Sequence, residues 1–148
     1  SLKEENLDAF TQRFLKLAAD EIIPEQMTPQ IDIDAVLDLQ DINAKFMSEL
    51  KKMNPFGPDN QKPVFCSLGV KDYGTSKLVG KDLEHIKLEL IDDKSNTPIH
   101  GIAFGMHQHN THIKNMKPFN ICYTIEENTY NGNTSLQLMV KDIKENDI

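Results

Sequence analysis

The sequence predicts an α+β protein in which a small, strongly bent, five-stranded β-barrel follows a helix–strand–helix segment. Three observations lead there. Between Ile99 and Ile143, the stretches IHGIAFGM, FNICYTIEE and SLQLMVKDI place three short β-type segments within fewer than fifty residues. Two of them alternate apolar and polar residues: Leu136, Leu138 and Val140 against Gln137, Met139 and Lys141, and Ile121, Tyr123 and Ile125 against Cys122 and Thr124. Such alternation buries one face of a strand and leaves the other wet. Asn131-Gly132 lies between these two segments, and both residues tolerate the positive φ of a tight hairpin turn.

From the N-terminus, Leu7, Phe10, Phe14 and Leu17 recur at helical spacing, predicting an amphipathic helix over Asn6–Ala19. Asn6 is the expected N-cap, Asp8 favours the first turn, and Pro24 ends the helical run. IDIDAVLDL is expected as a strand that buries Ile31, Ile33, Ala35, Leu37 and Leu39. Ile42, Phe46, Met47, Leu50 and Met53 predict a second amphipathic helix, with Lys51 and Lys52 at its C-terminal end and Asn54-Pro55 as its stop.

The barrel then begins. PVFCSLGV and SKLVGK form one strand broken near Tyr73-Gly74, and His85–Ile91 a second, with Ile86, Leu88 and Leu90 inside and Lys87 and Glu89 outside. A polar stretch from His107 to Met116 has room for a short helix between the third and fourth strands. Strand, strand, strand, helix, strand, strand is the order of the OB-fold, a five-stranded Greek-key barrel.

Composition narrows the function. No apolar run approaches the ~20 residues of a membrane-spanning helix. The formal net charge is −7, with a single arginine, Arg13. Residues 1–63 carry seven basic and twelve acidic side chains, and residues 64–148 nine lysines against eleven acids. A strongly basic nucleic-acid-binding footprint is therefore excluded, and any DNA contact must use a local lysine cluster with modest affinity. Cys66 and Cys122 fall in separate apolar strand contexts without metal-type spacing and are expected as buried, reduced thiols.

Three clusters invite a chemical reading. Asp32, Asp34 and Asp38 share one strand face, but strand rise separates Asp34 and Asp38 by about 13 Å, too far for one metal ion. His107, His109 and His112 form H-x-H-x-x-H without a nearby cysteine as fourth zinc ligand, which favours a polar loop over a closed site. Gly101, Ala103 and Gly105 line one face of the third strand. They serve either a sharp bend or a shallow platform for a nucleotide, and the bend is favoured.

Several stretches carry a resemblance. AFG at Ala103–Gly105, the EENTYNG turn at Glu126–Gly132 and SLQLMVKDIK at Ser135–Lys144 resemble the C-terminal OB domain of the bacterial RecJ exonuclease family. MNPFGPDNQKPVF, at Met53–Phe65, is similar to the connector of that family. LKEENLDAFTQRF resembles the helix that follows its glycine-rich GGH motif. Neither that motif nor an Asp-His-His triplet occurs in the sequence. The resemblance implies that both lie upstream in the parent protein, where they hold Mg or Mn and grip DNA. The chain is thus expected to be a truncated piece of a larger nuclease, with no catalytic residues and no metal site or cofactor of its own.

On this reading residues 1–28 are a helical tail of the missing upstream nuclease domain, 29–63 a strand–helix connector and 64–148 the OB-fold domain. The resemblance implies a cytoplasmic protein of DNA repair and recombination, with no membrane partner. OB-folds present the faces of strands two and three, and the strand one–two and four–five loops, to oligonucleotides. The expected DNA-binding residues are accordingly Lys77, Lys81, Lys87, Tyr130 and Asn131. Tyr130, where the family has Trp or Tyr, serves equally to stack on a base or to cover the barrel end. Three functions stay open: binding and positioning single-stranded DNA, recruiting a protein such as single-strand-binding protein, or bracing the upstream nuclease domains.

Overall fold

The computed structural model describes residues 3–23 and 28–146, and the backbone alone at Tyr130. The chain divides into two compact units, Ser1–Ile31 and Asp32–Ile148. The first holds α1 (Leu7–Glu21). Its start departs from expectation: a 3-10 turn at Glu4–Asn6 runs directly into the helix, and the Asn6 side chain caps nothing. The Asn6 N–H instead donates to the Lys3 carbonyl at 3.0 Å. Pro24, the expected stop, lies outside the described residues. Phe10 and Phe14, one turn apart, stack at 6.0 Å, and Leu7, Phe10, Phe14 and Leu17 are all exposed.

The second unit holds β1 (Ala35–Val36), α2 (Ala44–Lys51), β2 (Phe65–Asp72), β3 (Lys77–Val79), β4 (His85–Ile91), β5 (Ile99–Ala103), α3 (Asn110–Lys114), β6 (Phe119–Tyr130) and β7 (Asn133–Glu145). β2 pairs antiparallel with β6, β6 with β7 and β4 with β5, while β5 and β7 pair parallel. The end of β2 crosses to β4 through Lys71↔Ile91 and Asp72↔Leu90, and β3 continues along β4. β2 and β3 are thus the two halves of the broken first strand, and the ring of five closes on itself. That is the OB-fold.

The break has a chemical cause. Asp72 is buried, and its Oδ1 accepts the Ser76 N–H at 3.1 Å, so the chain loops out over Tyr73–Thr75 before it rejoins β4. Burial pushes the Asp72 carboxyl up, but hydrogen bonds from Ser76 and the Gly74 backbone, with Lys114 nearby, outweigh that and hold it below the usual range. Lys114 Nζ stands 3.6 Å from Asp72 Oδ2, which ties α3 to the kink. The hairpin turn forms as expected: Tyr130↔Asn133 flanks it, and φ is +50° at Asn131 and +78° at Gly132.

Ile86, Leu88, Leu90, Ile121, Tyr123, Ile125 and Leu138 fill the barrel with no exposed surface beyond 1%. Gly101 and Ala103 also face this core. A Cβ on Gly101 would meet the Leu138 carbonyl oxygen at 3.4 Å and Leu88 Cβ at 3.5 Å. Gly101 and Ala103 therefore let β5 approach its neighbours and offer no open platform, whereas Gly105 lies beyond β5, exposed in a turn with φ +68°.

The connector is shorter in sheet than IDIDAVLDL suggests. Only Ala35 and Val36 join the ladder, parallel to Phe65 and Cys66, and Ile31 and Ile33 stay 40% and 45% exposed. Pro63 has no N–H to extend the pairing upstream, and the Val64 N–H goes to the Asp34 side chain at 2.9 Å. α2 also starts later than its apolar periodicity: Ile42 lies before it, and Asn43 caps it by accepting the N–H groups of Lys45 and Phe46 at 3.0 and 3.1 Å. Cys66 and Cys122, distant in sequence, are directly opposed across β2 and β6. Burial first, then its neighbour Cys66, pushes the Cys122 thiol up to about 11.

Candidate nucleic-acid interface

Alternation along β4 sends Leu88 and Leu90 inward and His85, Lys87 and Glu89 outward. Cross-strand register then assembles an outer face in rows. One row runs Lys77–Lys87–Ile102–Met139, the next Glu89–His100–Gln137–Glu126. Lys77 and Lys87 are directly opposed, and among the described residues neither forms an ion pair. Like charges opposed across strands destabilise a sheet. Beside Lys87 lies a groove of about 200 Å³ lined by Lys87, His100, Asn128, Ser135 and Gln137. No acidic residue is among these five, but His100 Nδ1 stands 3.6 Å from Glu89 Oε1 and Gln137 is opposed by Glu126 across β6 and β7.

One end of this face carries an aromatic pair. Phe104, at the end of β5, is 55% exposed, and the His85 ring meets it edge-on at 4.9 Å. His85 Nδ1 accepts the Gly105 N–H at 3.1 Å, so its proton sits on Nε2, 3.3 Å from Glu84 Oε1. The ring and Phe104 are thereby held in place.

The expected site residues separate. Lys77 and Lys87 come together. Lys81 is exposed in the β3–β4 turn, but Asp82 follows it and Glu84 folds back on that turn, accepting the Asp82 N–H at 3.0 Å. Gly80 permits this with φ +98°, and a Cβ there would stand 2.7 Å from Glu84 Oε2. Asn131 is exposed at the hairpin tip. The side chain of Tyr130 lies outside what is described. Sequence reasoning missed Phe104, His100, Asn128, Ser135 and Gln137. Outward position on a strand was a usable signal for His100, Asn128, Ser135 and Gln137, but the β5–β7 pairing that brings His100 to Gln137 joins residues nearly forty apart, and Phe104 lies in the turn after β5.

Metal chemistry finds no support in these side chains. No three His, Cys, Asp or Glu among the described residues are gathered to hold an ion. Asp38 pairs with Lys94 at 2.7 Å. His109 Nδ1 meets Glu145 Oε1 at 2.7 Å, while His112 faces Glu145 Oε2 and the Pro118 carbonyl, each at 3.2 Å. Two of the three clustered histidines thus clasp α3 to the end of β7.

The closed barrel, its broken first strand and the helix between β5 and β6 define an OB-fold domain. Residues 33–142 match the RecJ OB domain, and the chain belongs to that family. It is 25% identical to the single-stranded-DNA-specific exonuclease RecJ of Haemophilus influenzae over 144 residues, which is 97% of this chain and 25% of that protein. The Bacillus subtilis protein of the same name is 25% identical over 143 residues, covering 96% of this chain and 18% of its own. The chain thus spans a quarter or less of the length of these relatives. RecJ of Thermus thermophilus in complex with Mn2+ superimposes with a TM-score of 0.75 at 17% identity, over the whole of this chain and 20% of that one.

Proposed function

We propose that this chain is the DNA-binding and positioning region of a RecJ-like, cytoplasmic, single-stranded-DNA-specific 5′→3′ exonuclease acting in DNA repair and recombination. The observation that carries this reading is the opposed Lys77–Lys87 couple, without an ion pair among the described residues, beside a polar groove. Two cations held together without a protein anion suit a phosphate backbone, and exposed Phe104 offers a face on which a base can stack. Such contacts are indifferent to base sequence, as an exonuclease requires.

Affinity should be modest. About three phosphate contacts on a single strand give a log–log salt slope near −2, at roughly −0.7 per contact. Lys87→Ala should weaken binding of oligothymidine and flatten the slope by roughly 0.7. Lys81→Ala should do less, because Asp82 and Glu84 already offset its charge. Phe104→Ala should weaken binding by roughly 1–3 kcal/mol with the slope unchanged. Fluorescence titration across a salt series measures all three. Folded variants that bind like the parent would overturn the reading and leave single-strand-binding protein or another protein as the partner of this domain.

In the parent protein the reaction is metal-dependent phosphodiester hydrolysis, with Mg or Mn held upstream. Residues 1–28 would belong to that upstream domain, with the exposed stripe Leu7, Phe10, Phe14 and Leu17 packing on it. Residues 29–63 would connect it to the OB-fold at 64–148. This chain alone, incubated with Mg or Mn and a labelled single strand, should release no nucleotides. Release that survives repurification and is lost on mutating a residue of this chain would refute that.

A further inference from the structure

We infer that Cys66 and Cys122 form an oxidisable dithiol site, which a peroxide converts to a disulfide across β2 and β6 and a thiol reductant reopens. They are the two cysteines of the chain, more than fifty residues apart, and the fold opposes them directly. The Cys66 carbonyl accepts the Leu37 N–H at 2.8 Å, so its backbone groups point toward β1 and away from β6. Cys66↔Cys122 is therefore a non-hydrogen-bonded pair of the antiparallel ladder. Such pairs hold their Cα atoms about 4.5 Å apart, inside the roughly 4.4–6.8 Å that a disulfide spans. The side chains share a face as well. Phe65, Ser67, Ile121 and Tyr123 are buried on the barrel side, and the cysteines alternate with them on the other. Burial raises the Cys66 thiol, and a hydrogen bond shared with Cys122 lowers it in part. Burial first, then Cys66 and, on β7, Asp142 push the Cys122 thiol up to about 11. Both thiols are thus protonated at neutral pH, and oxidation there is slow. Cys122 is the more exposed of the two and reacts first. Its thiolate attacks one peroxide oxygen, the O–O bond breaks, and the departing hydroxide takes up the thiol proton as water. The Cys66 sulfur then attacks the Cys122 sulfenic acid. An S–S bond forms, the S–O bond breaks, and hydroxide leaves with the Cys66 proton as a second water. Two electrons and two protons pass from the thiols to one peroxide. The cross-link fastens β2, which carries the connector strand β1, to β6.

The test uses the whole chain with excess hydrogen peroxide, at about pH 9 so that a fraction of the thiol is ionised. The parent should lose two hydrogen atoms in mass and form no cross-linked dimer on a non-reducing gel. Once denatured, it should take up iodoacetamide only after dithiothreitol. Oxidation should raise Tm by roughly 10 °C, since the bond closes a loop of more than fifty residues, and dithiothreitol should reverse the shift. Cys66→Ser and Cys122→Ser should show no such rise under peroxide. The shift is read on the parent itself, so a variant that folds poorly leaves the test intact. Oxygen added separately to the two cysteines, dimers linked between chains, or thiols that stay fully alkylatable in excess peroxide would overturn the site. A disulfide whose formation lowers Tm would also overturn it, because the folded ladder would not then accommodate the bond.

Discussion

Replacing Tyr123 with alanine is expected to lower the stability of the Asp32–Ile148 unit by about 3–5 kcal/mol, a large share of the roughly 5–15 kcal/mol typical of a domain. The ring is fully buried. It lies 6.3 Å from Phe65, which in turn meets Phe46 of α2 edge-on at 5.5 Å. Its hydroxyl lies 2.8 Å from Ser67 Oγ, and Ser67 Oγ donates to the Leu37 carbonyl at 2.7 Å. Tyr123 must therefore be the donor to Ser67, and the chain of bonds fastens the connector to the barrel interior. Tyr123→Phe keeps the ring and loses one link, at about 1 kcal/mol. The two variants separate packing from hydrogen bonding in a urea titration.

The same residue fixes an alkaline limit. Burial pushes the Tyr123 phenol up to about 12, against about 10 in an unfolded chain. A raised value means the folded state prefers the neutral form. That contribution is complete below pH 10 and is lost as pH rises toward 12, on the order of 2–3 kcal/mol in all. The Cys122 thiol, pushed up to about 11, adds a decline that starts lower. Tyr123→Phe should remove the upper part of the decline and leave the thiol part. Equal alkaline slopes in parent and variant would refute the assignment.

Asp92→Ala is expected to cost about 3 kcal/mol, because one carboxylate serves three backbone donors. Oδ2 accepts the Leu39 N–H at 2.8 Å, and Oδ1 accepts Lys94 at 3.0 Å and Ser95 at 2.6 Å. Burial pushes this carboxyl up, but the donors from Leu39, Ser95 and Lys94 outweigh it and hold it below the usual range. The stability it supplies is thus present above the ordinary value near 3.9 and disappears as pH falls through the lower folded value. Asp92→Asn should flatten that acid limb, since an amide does not titrate, and should lower stability at neutral pH, since its NH2 meets one of the three donors. Through these bonds Asp92 ties the Leu39 segment to the turn at Lys94–Ser95. Thermal melts between pH 3 and 7 measure both variants.

The barrel was legible because its information is local. Alternation at Leu136–Lys141 and Ile121–Ile125, and the Asn-Gly turn, each act within a few residues. The connector was less legible. Ile31 and Ile33 alternate as well as any strand, but pairing there depends on Pro63, a distant neighbour without a donor. Asn6 and Asn43 look alike as caps, and only Asn43 folds back on its helix. The candidate face was half legible. Lys77 and Lys87 follow from the β3–β4 hairpin, whereas His100, Ser135 and Gln137 meet only through a parallel pairing that no local pattern encodes. Phe104 stood in plain view within AFG, but its outward direction depends on which face of β5 the core claims.

The parallel β5–β7 ladder has a consequence for synthesis on the ribosome. β7 is wedged between β5 and β6, so the ring is open until the strand ending at Glu145 has left the exit tunnel. Until then the inward faces of β4 and β5 have no lid, and β5 offers a bare edge to other chains. The barrel must wait for β7 before its long-range pairings can form. A nascent chain stalled before residue 133 should accordingly be protease-sensitive throughout the barrel, and one extended well past Glu145 should resist.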